Sequence, residues 1–282
     1  MAYIFPEKIF PKVLNTYIQC PFKFKCDNDK EIKAEFVESP ESYAGKVIHL
    51  ALKHLFDIVQ VPADKRGDQD LGQLVRHFWA RIPKGGFSKD YWSSEERRQL
   101  FGSREQEKSF GMQTIAILNN YIAKADLSVT PLFLEDWMDC QIGEFTISGR
   151  IDRIDQDSDA SISVWDYKTG KLPFHDSVKK MMEEDLQAPI YAIIASKRNP
   201  FAKQVRAGLI YVKYSKIFDI VWIKNELAEV ENRIAAIINK AKNDNDLLPR
   251  INNLCPWCEY RTVCPERDKI EGKGEKVDEV SW

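Results

Sequence analysis

The 282-residue sequence has no apolar run long enough to cross a bilayer, and its start, MAYIFPEKIFPKV, has no basic stretch leading into an apolar one. The first absence argues against a membrane-spanning helix and the second against a secretion signal. We therefore expect a cytoplasmic protein with no membrane partner. A strong positive charge is also missing, because the formal net charge is −2. That balance argues against binding of nucleic acid by overall positive charge, and it does not exclude a local basic groove.

The sequence also lacks internal repeats, low-complexity linkers and the phosphate-binding pattern G-x-x-x-x-G-K-S/T. Without that pattern, no helicase motor is expected in this chain. The length supports one large domain, with or without a lobe. The charged residues EGKGEKVDEVSW at 271–282 predict a flexible tail.

Apolar periodicity predicts a helical first part and a strand-rich second part. The strand segments are rich in β-branched and aromatic residues and are separated by the turns QIG and QDSDA. The fold class is therefore α/β, a mixed sheet flanked by helices with a helical lobe. Helices are predicted at 12–26 (running into a turn at CPFKFKC), at 44–60, across 70–126 with a break at IPKGGF, at about 176–198 and at 226–243; strands are predicted in LFLEDWMDC, EFTISGRIDRID, ASISVWDYK, QVRAGLIYVKY and FDIVWIK.

Two predicted strands carry charged residues where apolar ones are expected, in GRIDRIDQDSDASISVWDYKTGK. Asp166 and Lys168 are two residues apart and share a face of their strand. The turn at QDSDA brings Asp152 opposite or diagonal to Asp166. Such close carboxylates repel each other, and magnesium or manganese would relieve the repulsion. Lys168 would either orient or help to deprotonate a metal-bound water, or stabilise the charge that builds on an attacked phosphate. The alternative is a surface hairpin in which Asp152, Asp155 and Lys168 form solvated ion pairs.

Further candidate ligands lie outside this hairpin. His49 falls on an apolar face of the 44–60 helix, and Gly45, one turn earlier, would let that helix approach a neighbour closely. His49 is either a packed core histidine or, if the helix covers the acidic strands, a third metal ligand. Glu135 and Asp136 precede the hairpin on opposite faces of a strand, and spacing alone does not choose between them.

The segment MEEDLQAPIYA places Gln187 and Tyr191 four residues apart, on one face of a helix. Gln187 is either a residue at the boundary of the core, or it donates a hydrogen bond to a scissile phosphate or binds a catalytic water. Pro189 lies between them and should bend the helix or mark its first turn.

The cysteines point to a second metal site. CPWCEYRTVCP has C-x2-C-x5-C spacing, which in a reducing compartment indicates metal ligation rather than disulfides. Cys20, which also precedes a proline, is the best fourth ligand and Cys26 the second, whereas Cys140 is expected to pack in the interior. Zinc and an iron–sulfur cluster both accept four thiolates, and either would join the two ends of the chain. The three clustered cysteines are Cys255, Cys258 and Cys264.

Taken in order, the segments TYIQCPFKF, GKVIH, E-x-W, GRIDRID, DYKTGK, QAPIY and CPWCEYRTVC resemble the PD-(D/E)XK nuclease superfamily. They are most similar to its RecB-like branch carrying an iron–sulfur cluster, which includes the nuclease domain of AddB-type helicase–nucleases and the CRISPR-associated Cas-four nucleases. The resemblance spans residues 14 to about 265. It implies a restriction-endonuclease-like fold and a single nuclease domain over 1–270, in which about 61–128 is a helical insertion.

The resemblance also implies roles for individual residues. The metal ligands of the family fall on His49, Asp152 and Asp166, and its catalytic lysine falls on Lys168. A four-iron four-sulfur (4Fe-4S) cluster would be held by Cys20 and the three clustered cysteines. Gln187 and Tyr191 match the QxxxY helix motif of the family, and Glu135 matches a less strict acidic position.

The expected function is that of a magnesium- or manganese-dependent exonuclease acting on single-stranded DNA or DNA ends, in CRISPR adaptation or in recombination and repair. CRISPR adaptation proteins or helicases are the expected protein partners. The alternatives are a cluster-stabilised DNA-binding subunit with little cleavage until a partner joins, and a zinc-stabilised structural protein. Candidate DNA contacts are Lys23, Lys25, Lys171, Lys179 and Lys180 for phosphates, and Tyr17, Phe22 and Trp257 for base stacking.

Overall fold

The computed structural model describes residues 5–29, 31–32, 34, 37–85, 90–172 and 185–271. Within them, six strands form one mixed sheet flanked by helices, which confirms the predicted α/β class. No helix in these ranges is long and apolar enough to span a membrane. The strands are β1 (Lys8–Ile9), β2 (Pro131–Ile142), β3 (Phe145–Ser158), β4 (Ser161–Lys168), β5 (Gln204–Tyr211) and β6 (Lys216–Ile223). The helices are α1 (Pro11–Gln19), α2 (Pro21–Asn28), α3 (Pro40–Phe56), α4 (Leu71–Trp79), α5 (Ser94–Phe101), α6 (Arg104–Ile122), α7 (Gln187–Arg198), α8 (Lys224–Asn243) and α9 (Arg267–Glu271).

The sheet combines antiparallel hairpins with one parallel crossover. Strands β2, β3 and β4 are joined in sequence as antiparallel neighbours, and β5 and β6 form a second antiparallel pair. Strand β4 pairs in parallel with β5, and α7 lies on the connection between them. Because β4 has neighbours on both sides, six of its eight residues are buried. Any polar group on β4 therefore needs a partner within the protein.

Two hydrophobic clusters cover the two faces of the sheet. One packs α7 and α8 against the sheet, with Ile162 of β4 and Ile190 of α7 both fully buried. The other packs α3, α4, α5 and α6, which together form the helical lobe, against Trp165 and Tyr167 of β4. These two clusters alternate along β4 because successive strand side chains point to opposite faces. The sheet thus lies between two helical layers.

The segment 61–128 is anchored to the rest of the fold by the fully buried Arg66. Its Nη1 donates to the carbonyl oxygens of Leu127 at 2.7 Å and Val129 at 2.5 Å, and its Nη2 donates to the carbonyl of Phe56 at 3.1 Å. One guanidinium therefore joins the end of α3 to the chain that enters β2. A buried cation is tolerated here because three carbonyl dipoles receive its protons.

Several local predictions need correction. The segment CPFKFKC is not a turn, because α2 begins at Pro21 and the break in the helices falls at Cys20, whose backbone is extended. Helix α3 begins at Pro40, four residues before the predicted start, where the Ser39 side chain accepts from the Ser42 N–H. Strand β1 was not predicted, since its two residues carry no periodic signal. The described part of the 176–198 helix begins at Gln187 with Pro189 in its first turn, and 173–184 lie outside the described residues, as do 272–282 of the predicted tail.

Candidate functional site

Three oxygen and nitrogen donors meet where α3 crosses the sheet. Nδ1 of His49 lies 3.2 Å from Oε1 of Glu135 and 3.3 Å from Oδ1 of Asp152. One ligand atom from each of these residues lies within 4.8 Å of the other two, and this is the only such group of three His, Cys, Asp or Glu residues in the described part of the chain. Two carboxylates and an imidazole suit magnesium, manganese or another divalent cation.

Helix α3 reaches the sheet because Gly45 has no side chain. A Cβ at Gly45 would lie 2.9 Å from Oγ1 of Thr169, immediately after β4. His49, one turn further along α3, is thereby brought over β2 and β3. The expectation of a close helix approach at Gly45 is confirmed, and His49 contacts the acidic residues instead of being an isolated core histidine.

The structure chooses between the two acidic residues of β2. Glu135 is 8 % exposed and its φ of 51° lies in the left-handed region, whereas Asp136 is exposed. A left-handed backbone at a non-glycine residue is unfavourable and is found mostly where surrounding structure holds it. The kink turns the Glu135 carboxylate towards His49.

The second oxygen of each carboxylate is held by another group. Oδ2 of Asp152 accepts the backbone N–H of Tyr167 at 2.7 Å, and Oε2 of Glu135 lies 2.8 Å from Nη2 of Arg150. Burial disfavours the charged form of His49, but the hydrogen bonds and negative charges of Asp152 and Glu135 outweigh it and raise its pKa to about 10. His49 is therefore paired with both acids.

A second network lies beside the first. Nζ of Lys168 is 2.7 Å from Oδ2 of Asp166 and donates to Oε1 of Gln187 at 2.9 Å. Nε2 of Gln187 donates to Oδ1 of Asp166 at 2.6 Å, so the one amide spans both charged groups. Burial raises the pKa of Asp166 to about 6, partly opposed by the charge of Lys168. Burial also disfavours the Lys168 ammonium, yet Asp166 outweighs this and raises the pKa of Lys168.

The two networks meet across β3 and β4. Arg153 and Trp165 are direct partners; Asp152 comes one residue before Arg153 and Asp166 one residue after Trp165, so on these antiparallel strands they lie opposite each other. The predicted approach of Asp152 to Asp166 is therefore present. Asp166 is nevertheless outside the group of three donors and is held by Lys168 and Gln187.

Tyr191 completes the second network from α7. Its hydroxyl donates to the carbonyl oxygen of Arg150 at 2.9 Å and lies 3.3 Å from Nε2 of Gln187. Gln187 and Tyr191 thus share one helical face, as their spacing predicts. Sequence reasoning did not single out Arg150, although the sequence places it two residues before Asp152, on the same side of the strand.

The surface-hairpin alternative is wrong. Asp155 is 5 % exposed, lies 3.0 Å from Nε of Arg153 and accepts from Nε1 of Trp165 at 2.9 Å. Arg153, itself 6 % exposed, lies over the ring of Phe56 and donates to the hydroxyl of Tyr167 at 3.0 Å. The ion pair of Arg153 and Asp155 is therefore internal, and the contacts around it hold together the side of the sheet that faces α3.

The four cysteines expected to bind metal line one cavity of about 300 Å³. The backbone N–H of Arg250 points to Sγ of Cys20 at 3.4 Å, and that of Asn252 to Sγ of Cys255 at 3.2 Å. Cys26 is fully buried in α2 and is absent from this lining, while Cys140 is buried in the core cluster of β2, as predicted. The cavity-lining thiols are those of Cys20, Cys255, Cys258 and Cys264.

The candidate DNA contacts have mixed outcomes. Tyr17 is 3 % exposed and its hydroxyl donates to Asp244 at 2.9 Å, so the prediction that it stacks on a base is wrong. Trp257 is 73 % exposed beside the cysteine cavity. Lys23 is paired with Glu259 at 2.5 Å, which leaves it poorly placed to bind a phosphate. Lys171 is exposed, and Lys179 and Lys180 lie outside the described residues.

Comparison of the sequence with known protein families identifies the family of this chain. The sequence model of the PD-(D/E)XK nuclease superfamily matches residues 11–265. The chain belongs to this superfamily. Nucleases of the superfamily use divalent metals, and the group formed by His49, Glu135 and Asp152 is suited to hold one. No curated protein matches the sequence significantly.

Two solved structures are similar to this superfamily member over most of the chain. SSO0001 shares 14 % identity, with 94 % of this chain and 88 % of that one covered and a TM-score of 0.41. A protein from Eubacterium rectale, provisionally named an exonuclease, shares 10 % identity, with 98 % and 91 % covered and a TM-score of 0.47.

Proposed function

We propose that this protein is a metal-dependent DNA nuclease of the RecB-like iron–sulfur branch, acting as an exonuclease on single strands or DNA ends. One observation carries the proposal. The metal-suited group of His49, Glu135 and Asp152 lies beside Lys168, a half-buried lysine that is held by Asp166 and Gln187. Carboxylates for a cation next to a fixed positive charge are what phosphodiester hydrolysis requires.

His49, Glu135 and Asp152 would hold magnesium or manganese, with Asp166 as a further ligand from the side of Lys168. The bound cation would supply Lewis acidity at the scissile phosphate. Lys168, paired with Asp166 and Gln187, would stabilise the negative charge that develops on the attacked phosphate. Gln187 orients the Lys168 ammonium, and Tyr191 in turn holds Gln187 in position.

The cysteine cavity would hold a 4Fe-4S cluster. The four thiols line a cavity of about 300 Å³, which has room for a group larger than one zinc ion. The N–H groups aimed at Cys20 and Cys255 would also stabilise ligated sulfur.

The motif order resembles nucleases of CRISPR adaptation and of recombination and repair, and we propose that the protein acts in one of these settings. The sequence has no helicase pattern, so a helicase or a CRISPR adaptation protein would present the DNA. This assignment follows the resemblance of the cysteine and catalytic motifs.

The test is digestion of end-labelled single-stranded DNA by anaerobically purified protein with manganese or magnesium. Cleavage should require the metal and stop with EDTA. Lys168→Ala should lose roughly 10²- to 10³-fold in rate, the effect of removing one stabiliser of transition-state charge. If neither wild type nor Lys168→Ala cleaves the DNA although metal is bound at the cysteine site, the nuclease proposal is contradicted.

A second candidate is a cluster-stabilised DNA-binding subunit that cleaves little until a partner joins. The observation favouring it is the exposed Trp257 beside the cysteine cavity, distant in sequence from the catalytic strands. Tight DNA binding without metal-dependent cleavage would support this candidate.

A further inference from the structure

We propose that Trp137 and Arg150 form a subsite for one unpaired nucleotide, in which Trp137 stacks on the base and Arg150 binds its phosphate. The inference rests on the proposed function, since it takes DNA as the substrate of the neighbouring site. Neither residue was among the predicted DNA contacts.

The two side chains are placed together by the sheet. Trp137 of β2 and Arg150 of β3 are direct cross-strand partners, so their side chains share a face. Trp137 is 52 % exposed although its neighbour Met138 is buried. Among the described strands, β2 pairs only with β3, and the exposed Trp137 ring on it leaves a large apolar area in contact with water. Phe10 supports it edge-on, with ring centroids 5.7 Å apart.

Arg150 connects this aromatic residue to the metal-suited group. Its Nη2 lies 2.8 Å from Oε2 of Glu135, whose Oε1 lies 3.2 Å from Nδ1 of His49. The guanidinium thus contacts one member of the metal-suited group directly, and the Arg150 side chain is 46 % exposed. A guanidinium carries five N–H donors in a planar fork, so one pairing with Glu135 leaves others for phosphate oxygens.

The cavities define the space for the nucleotide. Arg150 lines a cavity of about 500 Å³ with His49, Glu135 and Asp152, and also a cavity of about 640 Å³ with Trp137 and Tyr191. It is therefore the boundary between the metal-suited group and the aromatic groove. Sites for small ligands typically occupy about 300–1,000 Å³, so the groove can take a nucleotide. Lys12, exposed on α1, adds positive charge to the same groove.

A base can stack on the Trp137 ring only if its face is free of a neighbouring base, as in single strands and frayed ends. The subsite therefore favours single-stranded DNA or a frayed end next to the scissile phosphate. Stacking of this kind tolerates any base, since each has an aromatic face.

The test measures binding of a labelled single-stranded oligonucleotide to the full chain, with calcium in place of magnesium to suppress cleavage. Trp137→Leu should weaken binding about 5- to 150-fold, the range for loss of one base–aromatic stack. Trp137→Phe should keep most of the affinity. Phe201→Leu is the matched control, because Phe201 is a 43 % exposed aromatic residue that none of the site cavities includes. Arg150→Met should lower the slope of log affinity against log salt by about 1.

A second measurement uses wild-type protein and oligonucleotides with one abasic position moved along the strand. Affinity should fall at one position, and Trp137→Leu should be insensitive to that substitution. Uniform insensitivity of the wild type, or equal binding by Trp137→Leu and wild type, overturns the subsite. The abasic series decides the matter even if Trp137→Leu folds poorly, which its melting curve would show.

Cleavage with magnesium separates this inference from the proposed function. If wild type cleaves and Trp137→Leu has an unchanged KM, the subsite is wrong and the nuclease stands. If wild type binds DNA through Trp137 but does not cleave it, the subsite is supported and the nuclease proposal is contradicted. A raised KM with kcat nearly preserved supports both.

Discussion

Tyr191 lies directly against Gly149: a Cβ on Gly149 would be 2.6 Å from Cε1 of Tyr191. This close approach of α7 to β3 lets the Tyr191 hydroxyl reach the Arg150 carbonyl and lets Gln187 reach Asp166. A glycine in the interior of a strand is unfavourable for folding, so its presence here reflects a geometric need of the site.

Gly149→Ala should therefore displace Tyr191 and lower both stability and cleavage. The overpacking should cost about 1–3 kcal/mol in the free energy of unfolding, measured by urea denaturation. Cleavage should fall because Gln187 no longer holds Lys168. Gly111→Ala is the control, since its Cβ would meet nothing within 4 Å in α6 and should slightly stabilise the helix. Equal stability of Gly149→Ala and wild type would show that Tyr191 moves aside freely.

Metal binding should depend on Glu135 and not on its neighbour Asp136. Manganese should raise the melting temperature of wild type, because a ligand that binds only the folded state at 100 times its Kd adds about 2.7 kcal/mol. Glu135→Gln should shrink this shift strongly, and Asp136→Asn, an exposed residue on the same strand, should leave it intact. A shift of the same size in both variants would remove Glu135 from the metal site.

Cys20→Ala should lose the metal of the cysteine cavity, whereas Cys140→Ala should keep it. Cys20 lies in the cavity with the C-terminal cysteines, while Cys140 is buried in the core of the sheet. Iron, sulfide and zinc analysis of anaerobic protein distinguishes a cluster from zinc. Full iron content in Cys20→Ala would make another residue the fourth ligand. Zinc in place of iron would correct the cluster proposal and keep the site.

Arg66→Met should destabilise the fold by about 3 kcal/mol or more. The substitution leaves the carbonyl groups of Phe56, Leu127 and Val129 without their donor, and each buried unsatisfied group costs about 1–3 kcal/mol. Arg76→Met, an exposed change on α4, should stay within about 0.5 kcal/mol of wild type. Similar urea midpoints for both variants would show that solvent reaches the Arg66 site.

The motif residues were within reach of sequence reasoning because their spacing is short and periodic. Two-residue alternation put Asp166 and Lys168 on one face, and a four-residue step put Gln187 beside Tyr191. The helical lobe and the mixed sheet followed from the change of apolar period along the chain. Helix ends were less accurate, because capping by Ser39 and the break at Cys20 depend on local backbone geometry.

What the sequence by itself determined was the chemistry available: the identity of the donors, the lysine beside them and the cysteine spacing. Only the tertiary structure decided which donors meet. Glu135 and not Asp136 faces His49 because the backbone of Glu135 has a φ of 51°. A glutamate in the sequence does not indicate such a backbone conformation. The exclusion of Tyr17 and the exposure of Trp137 likewise depend on what packs over each ring, a contact between segments far apart in sequence. Local patterns record secondary structure, whereas burial and side-chain contacts are set by how the layers pack.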